Sequence, residues 1–227
     1  MKIACISDLH NKYVEWENKL IQDKFGEDIF DEWYSCDTVI FAGDATSTGT
    51  KYEIDKFLSW FSDLHFKNKI MIAGNHDFEF EYINNSIKIP DNVIYLDDSG
   101  VNIDNINIWG SPVQPEFNNW AFNRDRGNSI RKHWNLIPNN TDILIVHGPP
   151  LGYGDLLHPQ FRRFNENFNV GCEDLRNRIL EINSKFVICG HIHEGYGAYR
   201  LNDTEIINAS CLDHNYRAVN APIFIEI

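Results

Sequence analysis

Five short apolar runs, each followed at once by a turn carrying Asp, Asn or His, constrain this chain more than any other feature. After "KIACI" (2–6) comes "SDLH"; after "TVIFA" (38–42), "GD"; after "KIMIA" (69–73), "GNHD"; after "DILIV" (142–146), "HG"; after "KFVIC" (185–189), "GHIH". Runs that are apolar throughout and rich in β-branched residues predict strands buried on both faces. Four more, "NVIYL" (92–96), "INIWG" (106–110), "EIINA" (205–209) and "PIFIEI" (222–227), extend the set. Ile54, Phe57, Leu58, Phe61 and Leu64 follow helical spacing, as do Cys172, Leu175, Ile179 and Ile182. Val14, Leu20 and Ile21 suggest a weaker third helix. Helices between the early strands and short connections between the late ones predict an α/β fold on mixed sheets. At 227 residues, with no repeat or linker, the chain is expected to form one domain, 1–227. Asn118–Arg131 and Gly148–Gly171 show no period and are expected to be long loops of functional weight.

In α/β sheets, functional groups gather beyond the carboxyl ends of the strands. Asp8, His10, Asp44, Asn75, His76, His147, His191 and His193 are therefore expected to share one rim. Carboxylate and imidazole together suit Mn²⁺, Fe²⁺, Zn²⁺ or Ni²⁺. Eight such groups exceed what one ion can hold, so two divalent ions are expected. A pair of ions about 3.5–4 Å apart can clamp the attacking and leaving oxygens of a displacement at phosphorus. Glycines at 43, 74, 148 and 190 adjoin four of the five turns and allow close backbone approach.

Composition limits the partners. The formal net charge of −13 argues against binding long nucleic acids, which depends on Lys and Arg neutralising phosphates. No apolar run approaches the roughly 20 residues needed to span a bilayer. "MKIACISDLH" reads as a first strand rather than a signal peptide, and the five cysteines include no C-x-x-C pair. Reduced thiols and a cytoplasmic location are the expectation. In the loop after "GSP", Asn123, Arg124 and Arg126 are candidate substrate contacts, an arginine gripping a phosphoryl oxygen while Trp120 or Phe122 stacks on a ring. The alternative is aromatics packed on the sheet and arginines in water, which is also the reading for Arg162 and Arg163. His65, His133, His158 and His214 fall outside the pattern and read as structural or exposed.

The ordered set D-x-H, G-D, G-N-H-D, H-G and G-H-x-H, spanning residues 8 to 193, resembles the calcineurin-like metallophosphoesterase family. "WGSPVQPEFNNWAFNRDRG" (109–127), "HWNLIPNNTDILIVHGPPLGYGD" (133–155), "GHIHEGYG" (190–197) and "NAS" (208–210) resemble its metallophosphoesterase-domain-containing branch, related to cyclic-nucleotide phosphodiesterases. The spacer "LLHPQFRRFNENFNVGC" (156–172) departs from that branch. The resemblance implies a four-layer α/β/β/α sandwich of mixed sheets flanked by helices. It implies that Asp8, His10 and His193 hold one ion, that Asn75, His147 and His191 hold the other, and that Asp44 bridges them. A hydroxide between the ions would be the nucleophile. His76 would serve the leaving-group oxygen, with Asp77 orienting its ring or simply capping a helix. The implied activity is a phosphodiesterase on small diesters such as cyclic nucleotides; a phosphomonoesterase on nucleotides or phosphoproteins, a nuclease, or a non-catalytic scaffold are the alternatives.

Overall fold

A computed structural model describes residues 1–82, 87–161 and 168–227. The apolar runs are strands: β1 Lys2–Ile6, β2 Thr38–Ala42, β3 Asn68–Ile72, β4 Ile94–Tyr95, β5 Ser99–Ile103, β6 Ile106–Ser111, β7 Gln114–Pro115, β8 Asn123–Arg124, β9 Ile143–Val146, β10 Phe186–Cys189, β11 Gly197–Leu201, β12 Thr204–Asn208 and β13 Ile223–Glu226. The helices are α1 Tyr13–Ile21, α2 Glu27–Ser35, α3 Lys51–Asp63, α4 Phe78–Glu81, α5 Asn128–Trp134 and α6 Glu173–Ile182. One sheet runs β13-β1-β2-β3-β4 and the second β11-β12-β10-β9-β6-β5. The inner strands are parallel, and antiparallel partners close three of the four edges: β13 on β1, β11 on β12, and β5 on β6.

Alternation along the strands builds four layers. Ile3, Cys5, Ile40, Ala42, Ile70 and Ile72 of the first sheet meet Ile108, Ile143, Ile145, Ile188 and Ile207 of the second in a dry core between them. The alternate residues, Ala4, Ile6, Val39, Phe41 and Met71, face α1, α2 and α3 through Trp16, Leu20, Trp33, Ile54, Phe57 and Phe61. Leu144, Val146, Val187, Cys189 and Ile206 face α5 and α6 through Ile130, Trp134, Leu175 and Ile179. The fold is thus the expected α/β/β/α sandwich. Strands apolar at every position are required here, since each lies between two cores.

Local chemistry sets the helix ends. Thr50 accepts a hydrogen bond from the Glu53 amide while the Glu53 carboxylate accepts from the Thr50 amide, a reciprocal cap that starts α3. Asn183, left-handed at φ 52°, ends α6. The weaker helix is present as α1, but on a different face: Trp16 and Leu20 are buried, whereas Val14 and Ile21 are half exposed. The expected loop 118–131 is shortened by α5, which buries only Ile130 and Trp134, too few positions to show a period. Within the expected loop 148–171, buried Asp155 accepts from Gly152 N, Gly171 N and Asn169 Nδ2. Arg162 and Arg163 lie outside the described residues. No helix among the described residues is long and apolar enough to cross a membrane. All five cysteines are buried free thiols.

Candidate metal centre

The five motif turns converge at one end of the sandwich because all five parallel strands point there. Asp8, Asp44 and Asn75 follow strands of the first sheet; His147, His191 and His193 follow strands of the second. The reversals are tight enough that Asp8, His10, Asp44 and His191 take left-handed φ values of 54°, 39°, 59° and 66°. Such conformations are uncommon for these residues and cluster at functional sites. Two glycines admit the approach. A Cβ on Gly190 would collide with Ser7 Oγ and Asp8 Oδ2, and one on Gly74 with the Asp44 carboxylate and amide.

The imidazoles are held by their Nδ1 atoms. His10 Nδ1 donates to Thr46 O at 3.1 Å, His193 Nδ1 to Asp213 O at 2.9 Å, and His147 Nδ1 to Ala42 O at 2.9 Å. A carbonyl can only accept, so each Nδ1 carries the hydrogen and each Nε2 faces the crevice. There His10 Nε2 and His193 Nε2 stand 3.3 Å apart, with Asp8 Oδ1 at 3.4 Å from His193 and 3.9 Å from His10. On the other side, His147 Nε2 meets Asn75 Oδ1 at 2.9 Å and Asp44 Oδ2 at 3.3 Å. That same Asp44 oxygen lies 3.6 Å from His10 Nε2. Donor atoms gather within 4.8 Å of one another in three groups: Asp8, His10, His193; Asp44, His147, His191; and His10, Asp44, His76.

These are lone pairs facing lone pairs, and only cations or protons can sit among them. The same crowding shifts the protonation of these groups. Burial pulls His10 down to about 4, despite the charges of Asp44 and Asp8. Burial, with repulsion from His147, pulls His191 down to about 3. Burial acts the same way on His147 and His193, yet Asp44 holds the first up at about 9 and Asp8 does so for the second. Each main group therefore pairs one imidazolium with one neutral imidazole, a proton standing where a dication fits. Burial also opposes the charge on Asp8 and Asp44, but the facing imidazoles hold both carboxylates below their usual range. The donor set fits two divalent ions of the borderline class.

Other residues steady these groups. Asp8 Oδ2 accepts from Ser7 Oγ at 2.7 Å and Ser210 Oγ at 2.8 Å, and the His191 amide reaches both carboxylate oxygens at 3.0 Å. Asn208 Nδ2 donates to the carbonyls of Gly154, Gly190 and Ile192, tying down the "GHIH" turn. Asp44 Oδ1 accepts from the His76 amide at 2.8 Å. The His76 ring donates from Nδ1 to Ser47 O at 2.8 Å and lies against Trp120, with ring centres 4.1 Å apart.

Asp77 takes a different post from the one expected. It reaches neither the His76 ring, which Ser47 already orients, nor a capping amide of α4. Fully buried, its carboxylate accepts from Gly74 N, Ala45 N, Thr46 N and Thr46 Oγ1, locking the Asp44 turn to the Asn75 turn. Burial and the charge of Asp44 push it up to about 6 against those donors. Arg124 and Arg126 are engaged as well. Arg124 donates to Glu81, His133 and Asn123 O, and Arg126 to Gly171 O and Val170 O. Asn123 Nδ2 donates to the carbonyls of Phe117 and Asn118. Asn123 and Arg124 line an open cleft of about 380 Å³ whose wall includes Trp120. The loop residues thus lie one aromatic ring away from the ion groups.

Ser7 and the carbonyls of Ala42, Thr46 and Asp213 carry no signal in the sequence as metal-site supports. A carbonyl is identical in every residue, and which one meets an imidazole depends on how the strands are juxtaposed. Tyr216 packs edge-on against His10 and His193, with ring centres 4.9 and 5.3 Å apart.

The calcineurin-like phosphoesterase profile matches residues 1–195. Metallophosphoesterase domain-containing protein 1 of Homo sapiens is 36% identical, covering 100% of this chain and 71% of its own length. A UPF0046 protein of Caenorhabditis elegans is 32% identical over 84% of this chain and 54% of its own. Among solved structures, the phosphopantetheinyl hydrolase of Mycobacterium tuberculosis superposes with a TM-score of 0.53 at 14% identity, covering 95% of this chain and 90% of that one. The order of motifs, the four layers and these matches agree: the chain belongs to the calcineurin-like phosphoesterase family, whose chemistry is metal-dependent hydrolysis of phosphoric esters.

Proposed function

We propose that the protein is a cytoplasmic two-metal phosphodiesterase acting on small phosphodiesters, with cyclic nucleotides as the leading class. The observation that carries the two-ion reading is Asp44 Oδ2, a single oxygen 3.6 Å from His10 Nε2 and 3.3 Å from His147 Nε2. An anion in that position offsets the repulsion between two cations. Asp8, His10 and His193 form one half of the site; Asn75, His147 and His191 form the other. Divalent ions bound there would lower the pKa of water and offset charge on the phosphoryl oxygens.

His76 is the proton donor in this reading. Its Nδ1 is committed to Ser47 O, which leaves Nε2 for the leaving-group oxygen. Asp77 serves indirectly, by holding the turns of Asp44 and Asn75 in register. The cleft bounded by Trp120, Asn123 and Arg124 receives the ester group beyond phosphorus, and Arg126 anchors that loop to the 170–171 backbone. Diesters are favoured over monoesters because the loop arginines already have partners. A monoester dianion gains most from a free guanidinium, while a diester monoanion needs it less. Five reduced, buried thiols fit a reducing compartment. The two sheets serve as walls for all three cores, which supports one domain over 1–227.

The test compares Mn²⁺-loaded protein on bis-p-nitrophenyl phosphate and p-nitrophenyl phosphate, followed by 2′,3′- and 3′,5′-cyclic nucleotides. Faster turnover of the diester is expected. A preference for the monoester would reassign the substrate class, and inertness toward every ester would end the proposal.

A further inference from the structure

Tyr216 has no part in the metal ligation or the hydrogen-bonding frame, yet the backbone goes out of its way to place it. Its φ is +58°, a left-handed conformation that is an outlier for a bulky aromatic residue. A tight turn holds it there. Asp213 Oδ1 accepts from Asn215 N and Arg217 N, each at 2.9 Å, and Asp213 Oδ2 accepts from Arg217 Nε at 2.8 Å. The Asp213 carbonyl then takes two donors, His193 Nδ1 at 2.9 Å and Tyr216 N at 2.8 Å. One atom therefore sets both a metal-site imidazole and the tyrosine beside it.

The turn does not serve the core, because Tyr216 stays 45% exposed. What it delivers is a phenol at the mouth of the site, edge-on to His10 and to His193 at interplanar angles of 77° and 76°. His76 lies against His10 at a similar angle, 86°. Among the described residues the Tyr216 hydroxyl has no hydrogen-bond partner. A phosphoryl group bound where the Nε2 atoms of His10 and His193 converge would lie beside a free O–H donor.

We propose that Tyr216 is a substrate-contacting residue whose hydroxyl donates a hydrogen bond to a phosphoryl oxygen. This inference rests on the phosphoesterase reading and adds a protein donor that the family motifs do not include. With the loop arginines engaged elsewhere, this neutral donor contributes to binding without adding charge.

The test titrates Mn²⁺ and then inorganic phosphate calorimetrically into wild type, Tyr216→Phe and Tyr216→Ala. Tyr216→Phe keeps the ring over the imidazoles and removes only the hydroxyl. Mn²⁺ affinity within twofold of wild type is expected, with phosphate binding weakened about tenfold, the loss of one hydrogen bond. Tyr216→Ala should weaken phosphate binding at least as much. Unchanged phosphate affinity in Tyr216→Phe overturns the contact; so does an equal loss of Mn²⁺ affinity, which would make Tyr216 a support for the imidazoles. If wild type binds phosphate in a hydroxyl-dependent way but hydrolyses no ester, the contact stands and the phosphodiesterase reading falls. If metal-loaded wild type binds no phosphate, the contact falls, while the phosphodiesterase reading is decided separately by ester turnover.

Discussion

At the scale of the residue, the site is a problem of too many acceptors in too little space. Asp44 answers most of it, since one of its oxygens faces both imidazole groups. Asp44→Asn keeps the shape and removes the charge; loss of both ions by elemental analysis, together with loss of turnover, is expected. His76→Asn should behave differently: metal content near wild type, with turnover reduced roughly 10²–10⁴-fold. A ring nitrogen of His76 approaches His10 and Asp44 within 4.8 Å, so an emptied site in that variant would make it a ligand. Ser210→Ala removes one donor from Asp8 Oδ2 and should weaken ion binding roughly tenfold. The protons on His147 and His193 make binding pH-dependent. Both titrate near 9 when folded and near 6.5 when unfolded, so their contribution to metal-free stability is complete below 6.5 and is lost as pH rises through 9. Ion binding displaces these protons. Mn²⁺ affinity should therefore rise with pH up to about 9, with about two protons released at pH 7, measurable by calorimetry in buffers of different ionisation enthalpy.

At the scale of the element, strand ends were easy to read and helix faces were not. Residues 3–6, 39–42 and 143–146 are apolar at every position, and only a strand between two cores demands that. β5 and β11 are edge strands whose alternate exposed positions carry only Gly100 and Asn102, and Ala198 and Arg200, so "SGVNI" and "GAYRL" resemble loops until a neighbouring strand pairs with them. In α1 the choice between Trp16 and Val14 as the inward residue depends on Trp33 of α2, with ring centres 5.3 Å apart. Nothing local to α1 specifies that partner. The cap of α3 has a role beyond its helix. The Glu53 carboxylate accepts from Thr48 and from Asn11, the residue after His10. Glu53→Ala should lower stability by about 1–2 kcal/mol in thermal or urea unfolding, with a measurable loss of turnover if the His10 turn loosens.

At the scale of the whole molecule, the two halves of the site come from different sheets. Asp8, Asp44 and Asn75 belong to the first, and His147, His191 and His193 to the second, so bound ions would staple the two together. Chelation should lower the midpoint of thermal unfolding, and adding Mn²⁺ back at 100 times its Kd should restore about 2.7 kcal/mol. A midpoint indifferent to metal would mean that the ions are not held between the sheets. The residue types at five strand ends, and the need for those strands to be buried on both faces, were determined by the sequence alone. They follow from side-chain chemistry and from the period of two along a strand. Which carbonyl fixes each imidazole, that Asp77 locks backbone turns, that Arg124 and Arg126 hold a loop, and that Tyr216 stands edge-on to His10 and His193 were decided only in the tertiary structure. Those assignments are relations between segments as far apart as Asp8 and Ser210, and their geometry exists only once the two sheets have packed.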